Sequence, residues 1–159
     1  MNSFIFCPRC GNKLVDRETD GRVRRACGGE GCNFVHYDNP LPVVAGIVEI
    51  EAGVVLVRSQ GWPEKMFGLV TGFLERDEAS ADAIVREVQE ELGLISTVEK
   101  LVGVYPFTMR NEVIIAYALR ATGTIVLGSE LADYRVVPKA KLRPWPMGTG
   151  FAVADWLGA

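Results

Sequence analysis

The sequence predicts an α/β domain preceded by a small cysteine-rich domain, and two observations support this expectation. All four cysteines lie before residue 33, whereas apolar segments with regular spacing begin only at Leu41. Beyond that point, strand-like segments surround one amphipathic helical segment, a combination typical of an α/β fold. Because the composition changes near residue 38, we expect domains spanning residues 1–38 and 39–159.

Length, composition and charge limit the classes of protein to which the chain can belong. With 159 residues, 48% of them hydrophobic and 23% charged, the chain has the balance of a globular protein. The formal net charge of -3 provides no overall attraction for nucleic acid, so a nucleic-acid partner is not expected. The apolar runs are shorter than a membrane span, and the N-terminus does not resemble a secretory signal. The sequence therefore predicts a cytoplasmic protein without a membrane partner.

Strand-like segments lie before and after the helical segment. Residues 42–50 and 54–58 predict a hairpin, because turn residues separate two β-rich runs. Residues 66–72 show an extended apolar pattern interrupted by glycine, which predicts a strand that leads into a loop. The segments after the helix predict two further strands and a closing helix, at residues 98–107, 113–121 and 149–157.

Residues 80–92 predict an amphipathic helix. Apolar side chains recur at helical spacing, and acidic residues occupy the opposing positions. Ser80 is the predicted N-cap, and Gly93 stands where a left-handed C-terminal cap is commonly found. Both ends of this helix are therefore marked in the sequence.

Three glutamates lie on one face of the predicted helix. Glu87, Glu90 and Glu91 stand at positions i, i+3 and i+4, which brings their carboxylates within reach of one another. Like charges this close are unfavourable unless a cation lies on them. Oxygen ligands alone suit Mg²⁺ or Mn²⁺. On the glutamates alone, a solvated helix face remains the alternative interpretation.

The glutamates belong to a longer pattern. Gly72 precedes Glu78 by six positions, and seven residues then separate Glu78 from the run Arg86-Glu-Val-Gln-Glu-Glu-Leu-Gly-Leu94. These positions together resemble the Nudix box. The resemblance extends from about Leu41 to the end of the chain and implies an α/β/α sandwich with a mixed sheet. It also implies a metal-dependent hydrolase that cuts a pyrophosphate bond.

The resemblance assigns roles to individual residues of the box. It implies that Mg²⁺ or Mn²⁺ is held by Glu87, Glu90, Glu91 and Gly72, and that Arg86 and Glu78 hold the loop and the helix in register. The glutamates would act by holding cations rather than as nucleophiles, because metal ions neutralise the diphosphate and lower the pKa of an attacking water. In many members the general base or a further ligand is a later glutamate, for which Glu130 is the candidate and Glu112 the alternative.

The cysteines form two close pairs in front of this domain. Cys7 and Cys10 are separated by sixteen residues from the second pair, Cys27 and Cys32, a spacing typical of a zinc ribbon with four thiolate ligands. A domain of under forty residues has too little core to fold without such a metal. Two disulfides are the alternative, which the expected reducing compartment disfavours.

A zinc ribbon before a Nudix box is similar to the NADH pyrophosphatases and to some flavin dinucleotide or ADP-ribose pyrophosphatases. The NADH branch carries the run Ser-Gln-Pro-Trp-Pro-Phe-Pro after the box, of which this chain retains Pro106-Phe107. We therefore expect a small nucleotide substrate, either a dinucleotide or an ADP-ribose-like compound, cut to release a nucleoside monophosphate. Tyr105 and Phe107 are the expected substrate-binding residues, with Trp145 as a further aromatic able to stack on a ring.

Other functions stay open at this point. The chain is alternatively an NADH pyrophosphatase proper, a non-catalytic nucleotide-binding protein, or a nucleic-acid-binding module built on the zinc ribbon. The unbroken glutamate run favours catalysis over the last two. Because Nudix proteins commonly pair, the resemblance also implies a homodimer.

Overall fold

The computed structural model describes residues 4–158, and the chain divides into two compact units, Met1–Asn39 and Pro40–Ala159. The first unit contains a three-stranded antiparallel sheet whose strands are β1 (Leu14–Thr19), β2 (Arg22–Cys27) and β3 (Val35–His36), in that spatial order. Asp20 and Gly21 connect β1 to β2 with φ values of 53° and 72°, as a two-residue hairpin turn requires. The sequence analysis did not predict β1 and β2.

The described part of the second unit, residues 40–158, contains one six-stranded sheet and two α-helices. Its strands are β4 (Leu41–Ile50), β5 (Gly53–Ser59), β6 (Val70–Phe73), β7 (Ile95–Phe107), β8 (Glu112–Thr122) and β9 (Leu131–Val137). The helices are α1 (Ser80–Leu92) and α2 (Gly150–Leu157), with a short 3-10 helix at Lys139–Lys141.

The sheet is mixed, as predicted. Its order is β7-β8-β4-β5-β9, and β4 runs parallel to β8 while the other pairs are antiparallel. One edge of β4 is shared, because its first half pairs with β6 and its last residues pair with β5. The short strand β6 is thereby held beside the centre of the sheet.

A helix covers each face of the sheet, which makes the second unit an α/β/α sandwich. On one face, Ile84, Val88 and Leu92 of α1 pack with Val44 and Leu119. On the other face, α2 packs on a second cluster of strand residues that includes Ala45, Ile47, Leu69 and Ile114. Burying each large aliphatic side chain of these clusters contributes about 1.5–3 kcal/mol. The packed sheet therefore provides a rigid support for the segments at its edges.

Helix α1 has the predicted extent, but its N-cap differs from the prediction. The capping residue is Ala79, and the Oγ of Ser80 lies 2.6 Å from the hydroxyl of Tyr117 instead of accepting from the helix N-terminus. The Ser80 prediction is therefore wrong, because its hydroxyl pairs with a neighbouring strand. Gly93 caps the C-terminus with φ 67°, and its N–H donates to the carbonyl of Gln89.

Other boundaries differ by more than a residue. The strand predicted at residues 66–72 is confined to Val70–Phe73, because a turn in which Met66 N–H donates to the Pro63 carbonyl occupies the start of the segment. Strand β7 starts three residues earlier than predicted, and β9 was not predicted. Within residues 4–158, no helix combines the length and the apolar character needed to cross a bilayer.

Candidate active site

The three glutamates lie along one margin of the buried stripe of α1, on the side that meets β6. That stripe consists of Ala83, Ile84, Val88 and Leu92. The Glu87 side chain is 13% exposed, whereas that of Glu90 is 59% exposed. Glu87 lies directly against Gly72 of β6, where any Cβ atom would overlap its carboxylate. Gly72 is therefore required in order to seat this glutamate against the strand.

Arg86 ties the helix to the loop that precedes it. Its Nε and Nη2 donate to the two carboxylate oxygens of Glu78 at 2.8 and 3.1 Å, and Nη2 also reaches the Phe73 carbonyl at 3.3 Å. Its Nη1 donates to Glu87 and Glu90 at 2.8 and 3.0 Å. These bonds raise the pKa of Arg86, chiefly through Glu78, and the guanidinium holds the pKa of Glu78 below its usual range. The pair thus fixes the loop with compensated charge.

Glu91 has the opposite environment. Its Oε2 is buried and has no hydrogen-bond partner among the described residues. Burial raises the pKa of Glu91 to about 8, and repulsion from Glu87, Glu130 and Glu90 adds to the shift. Burial also raises the pKa of Glu87, although Arg86 opposes the change. An uncompensated carboxylate in such a position is costly, and a bound cation would remove the cost.

Glu130 reaches this cluster because the segment before it docks on the end of α1. The N–H groups of Val126 and Gly128 donate to the carbonyls of Leu92 and Glu91, each at 2.9 Å. These carbonyls belong to the last turn of the helix, where intrahelical donors are lacking. The docking places the Glu130 carboxylate close enough to raise the pKa values of two helix glutamates. Glu130 therefore adds its negative charge to that of the helix glutamates.

A cavity of about 570 Å³ lies on the opposite face of β6. Thr71 lines it, whereas the adjacent Gly72 meets Glu87, because successive strand residues point to opposite faces. Large apolar side chains form much of its wall, among them Trp62, Met66, Phe67, Phe107, Trp145 and Met147. An apolar cavity with a few polar groups is the usual form of a small-molecule site.

The predicted residues near this cavity have different locations. Phe107 lines it, whereas Tyr105 is not among the lining residues and its hydroxyl donates to Asp155 of α2 at 2.6 Å. Burial and this bond raise the pKa of Tyr105 to about 12. Glu112, the alternative general base, lines the cavity and forms an ion pair with Arg110 at 3.2 Å. The structure thus brings Glu130, rather than Glu112, to the helix glutamates.

The sequence analysis did not identify Trp62 and Phe67 as wall residues. Trp62 lies in a turn-rich loop, where no strand or helix pattern predicts the direction of a side chain. A tryptophan in such a loop was the available signal, because loops carry binding residues more often than packing residues. Phe67 was not identified because it lies in the segment that was predicted as a strand.

The structure also brings the four cysteines of the first unit together. Their sulfur atoms all lie within 4.8 Å of one another, and they belong to Cys7, Cys10, Cys27 and Cys32. The N–H groups of Arg9 and Gly29 donate to the sulfurs of Cys7 and Cys27 at 3.4 and 3.3 Å. This arrangement fits a tetrahedral thiolate site, because backbone donors turned toward sulfur stabilise its negative charge.

The comparisons with known proteins agree with this geometry. The model of the NUDIX domain matches residues 40–153. The chain is 29% identical over 133 residues to the NAD-capped RNA hydrolase NudC of Vibrio atlanticus, covering 82% of this chain and 48% of that protein. It is 41% identical over 70 residues to the ADP-ribose pyrophosphatase of Methanocaldococcus jannaschii, covering 43% and 41% of the two chains. The chain thus spans about half or less of the length of these curated relatives.

The same fold is found among solved structures. A NUDIX hydrolase from Nitrosomonas europaea superimposes with a TM-score of 0.76 at 25% identity, covering 87% of this chain and 80% of that one. The family match covers well over half of the chain and includes every position of the predicted box. The predicted family is confirmed, and the chain belongs to the Nudix hydrolases.

Proposed function

We propose that this hydrolase cuts, with Mg²⁺ or Mn²⁺, the pyrophosphate bond of a dinucleotide or an ADP-ribose-like compound and releases a nucleoside monophosphate. The observation that carries this proposal is the buried oxygen of Glu91, which lacks a partner among the described residues and feels the charges of three further carboxylates, Glu87, Glu90 and Glu130. Such a cluster is unfavourable alone and becomes favourable when cations occupy it. The relatives named above, which act on nucleotide derivatives, support the choice of substrate class.

The residues present fit divalent metal ions. Glu87, Glu90 and Glu91 would hold them, with Glu130 as a further ligand or the general base and the Gly72 carbonyl as an additional oxygen donor. Bound metal ions supply charge neutralisation for the diphosphate and a water of lowered pKa. Arg86 and Glu78 act by position, because their mutual bonds keep the helix glutamates beside β6.

The cavity supports a substrate that carries a planar ring. Its aromatic side chains offer faces for stacking, and Phe107 and Trp145 are among those predicted to do so. Lys65 and Arg110 also line it and provide positive charge for phosphate oxygens. The cavity and Glu87 lie on opposite faces of β6, so a substrate with its ring in the cavity and its diphosphate by the glutamates would have to extend around this short strand.

For the first unit we propose a zinc ribbon, spanning residues 1–38, in front of a Nudix domain spanning residues 39–159. Support comes from the four sulfurs within 4.8 Å and from a small core formed largely around the cysteines. The proposal predicts that each chain binds one zinc ion. The thiolates should hold this ion more firmly than the glutamates hold magnesium, because thiolates are softer ligands. Metal analysis of protein purified without chelators checks this. Thiol titration that indicates two disulfides, or metal analysis that finds no zinc, would contradict the zinc-ribbon proposal.

The activity is tested by incubating the protein with dinucleotides and nucleotide sugars in the presence of Mg²⁺ or Mn²⁺ and identifying the products by mass. Expected products are nucleoside monophosphates, formed only when metal is added. Comparing the specificity constants for NADH, flavin dinucleotide and ADP-ribose tests the substrate class, since a preference for NADH of a hundredfold or more would favour the NADH pyrophosphatases. Absence of monophosphate from every compound would contradict the proposal.

A second candidate activity is removal of a 5′ NAD cap from RNA, which the names of several relatives favour. The bond is the same pyrophosphate, so the glutamate cluster would serve both reactions. The chain's net charge of -3 offers no general attraction for an RNA chain. Cleavage of NAD-capped RNA at a specificity constant above that of free NAD would establish this second activity.

A further inference from the structure

A buried carboxylate lies in the wall of the cavity. Glu112 starts β8, is 9% exposed, and is the only acidic residue among the described residues that line the cavity. It pairs across the sheet with Phe107 and Leu41, so the strands on both sides fix its backbone. A carboxylate is seldom buried to this degree unless it is paired. Its location therefore calls for an explanation that the glutamate cluster does not provide.

The Glu112 carboxylate forms an ion pair with Arg110. The Arg110 Nε lies 3.2 Å from Oε1, and the Arg110 side chain is itself 63% exposed. An ionised carboxylate has about four acceptor positions and no donor. Acceptor capacity therefore remains for a ligand in the cavity. A ligand group that is itself an acceptor would be repelled there.

The surrounding wall determines what kind of donor fits. Trp62, Phe67, Phe107 and Trp145 line the cavity, and aromatic side chains can stack on a planar ring. A planar ring donates best to a carboxylate through an exocyclic amino or carboxamide group. Replacing that NH₂ by oxygen puts an acceptor in place of the donor at that position.

We propose that Glu112 is a specificity-determining residue that selects a substrate ring carrying an NH₂ group over the same ring carrying oxygen at that position. The inference rests on the proposed function for the identity of the cavity as the substrate site. It specifies which chemical group of the substrate the cavity recognises and which residue recognises that group. The ring is that of an amino-bearing base or of a nicotinamide, and the test separates the two.

The test measures binding without cleavage, by fluorescence titration. Two of the three tryptophans, Trp62 and Trp145, line the cavity and report its occupation. Adenosine monophosphate is compared with inosine monophosphate, and nicotinamide mononucleotide with nicotinic acid mononucleotide. Within each pair an NH₂ group is exchanged for oxygen. In one pair the amino compound should bind at least about tenfold more tightly, since a lost bond to a charged group has this effect or more.

The variant Glu112→Gln should reduce that ratio to within about threefold, because an amide side chain can rotate to donate or to accept. Glu49→Gln is the matched control, since Glu49 lies on β4, pairs with Arg120 at 3.7 Å and does not line the cavity. This control should retain the wild-type ratio. Circular dichroism verifies that both variants fold.

The outcomes are separate from those of the hydrolysis assay. A wild-type protein that binds both members of each pair equally, or binds none of the four compounds, overturns the inference whether or not the variant folds. Unchanged discrimination in folded Glu112→Gln overturns it as well. If these ratios behave as expected while no pyrophosphate is cleaved, the proposed hydrolysis fails and the recognition of the amino group stands.

Discussion

The two ends of the box differ in how they treat acidic side chains. At Glu78, both carboxylate oxygens accept hydrogen bonds from Arg86, and the pKa of Glu78 is lowered. At Glu91, one oxygen is buried without a partner among the described residues, and the pKa is raised to about 8. The first carboxylate stabilises the fold as it stands. The second costs stability until a cation binds, which is the behaviour expected of a metal ligand.

This comparison predicts the largest loss of activity at Glu91. The variant Glu91→Gln keeps the shape of the side chain but removes its charge, so turnover should fall by about a thousandfold or more. Turnover is measured as monophosphate released at saturating Mg²⁺. Glu99→Gln is the control, because Glu99 lies on β7 and contacts Arg120. Near-normal turnover in folded Glu91→Gln would contradict the assigned chemistry.

A smaller loss is expected at Glu130, which joins the cluster from a loop rather than from the helix. Glu130→Gln should lower turnover by about a hundredfold, within the range for loss of a general base or one ligand. Glu112→Gln should change turnover of its best substrate less than Glu130→Gln does. If the two variants have reversed effects on kcat, Glu112 rather than Glu130 is the general base.

The Glu78 end of the box, where Arg86 balances the negative charge, should respond to substitution in another way. Glu78→Gln weakens the bonds to Arg86, so the melting temperature should fall and activity should drop by roughly tenfold as the helix glutamates lose their support. Thermal unfolding and steady-state kinetics measure the two effects. Activity reduced as severely as in Glu91→Gln, with an unchanged melting temperature, would show that Glu78 acts on the substrate or metal directly.

The local part of the site could be predicted from sequence because helix geometry fixes it. Glu87, Glu90 and Glu91 are within one turn of each other, so their spacing alone places the carboxylates together. Glu130 was predicted from the family resemblance, and the structure adds the hydrogen bonds from Val126 and Gly128 that bring it to the helix. Within each cysteine pair, the short spacing likewise places the two thiolates close together.

The cavity could not be predicted, because its wall is formed by residues distant in sequence. Trp62, Glu112 and Trp145 meet only after β4 has paired with both β6 and β8. Strand β9 was missed because its side chains do not alternate clearly between buried and exposed positions. The wrong assignment of Ser80 has a similar origin, since its partner Tyr117 lies on β8.

The most direct test of the proposed cation site is the thermal unfolding of wild-type protein and Glu91→Gln, with and without Mg²⁺. Without magnesium and at a pH above about 8, where Glu91 is ionised, Glu91→Gln should be more stable than the wild type, by on the order of 1 kcal/mol, because it removes a buried charge that lacks a partner among the described residues. Magnesium should raise the melting temperature of the wild type and have little effect on the variant. A variant less stable than wild type without metal, together with equal magnesium responses, would contradict this account.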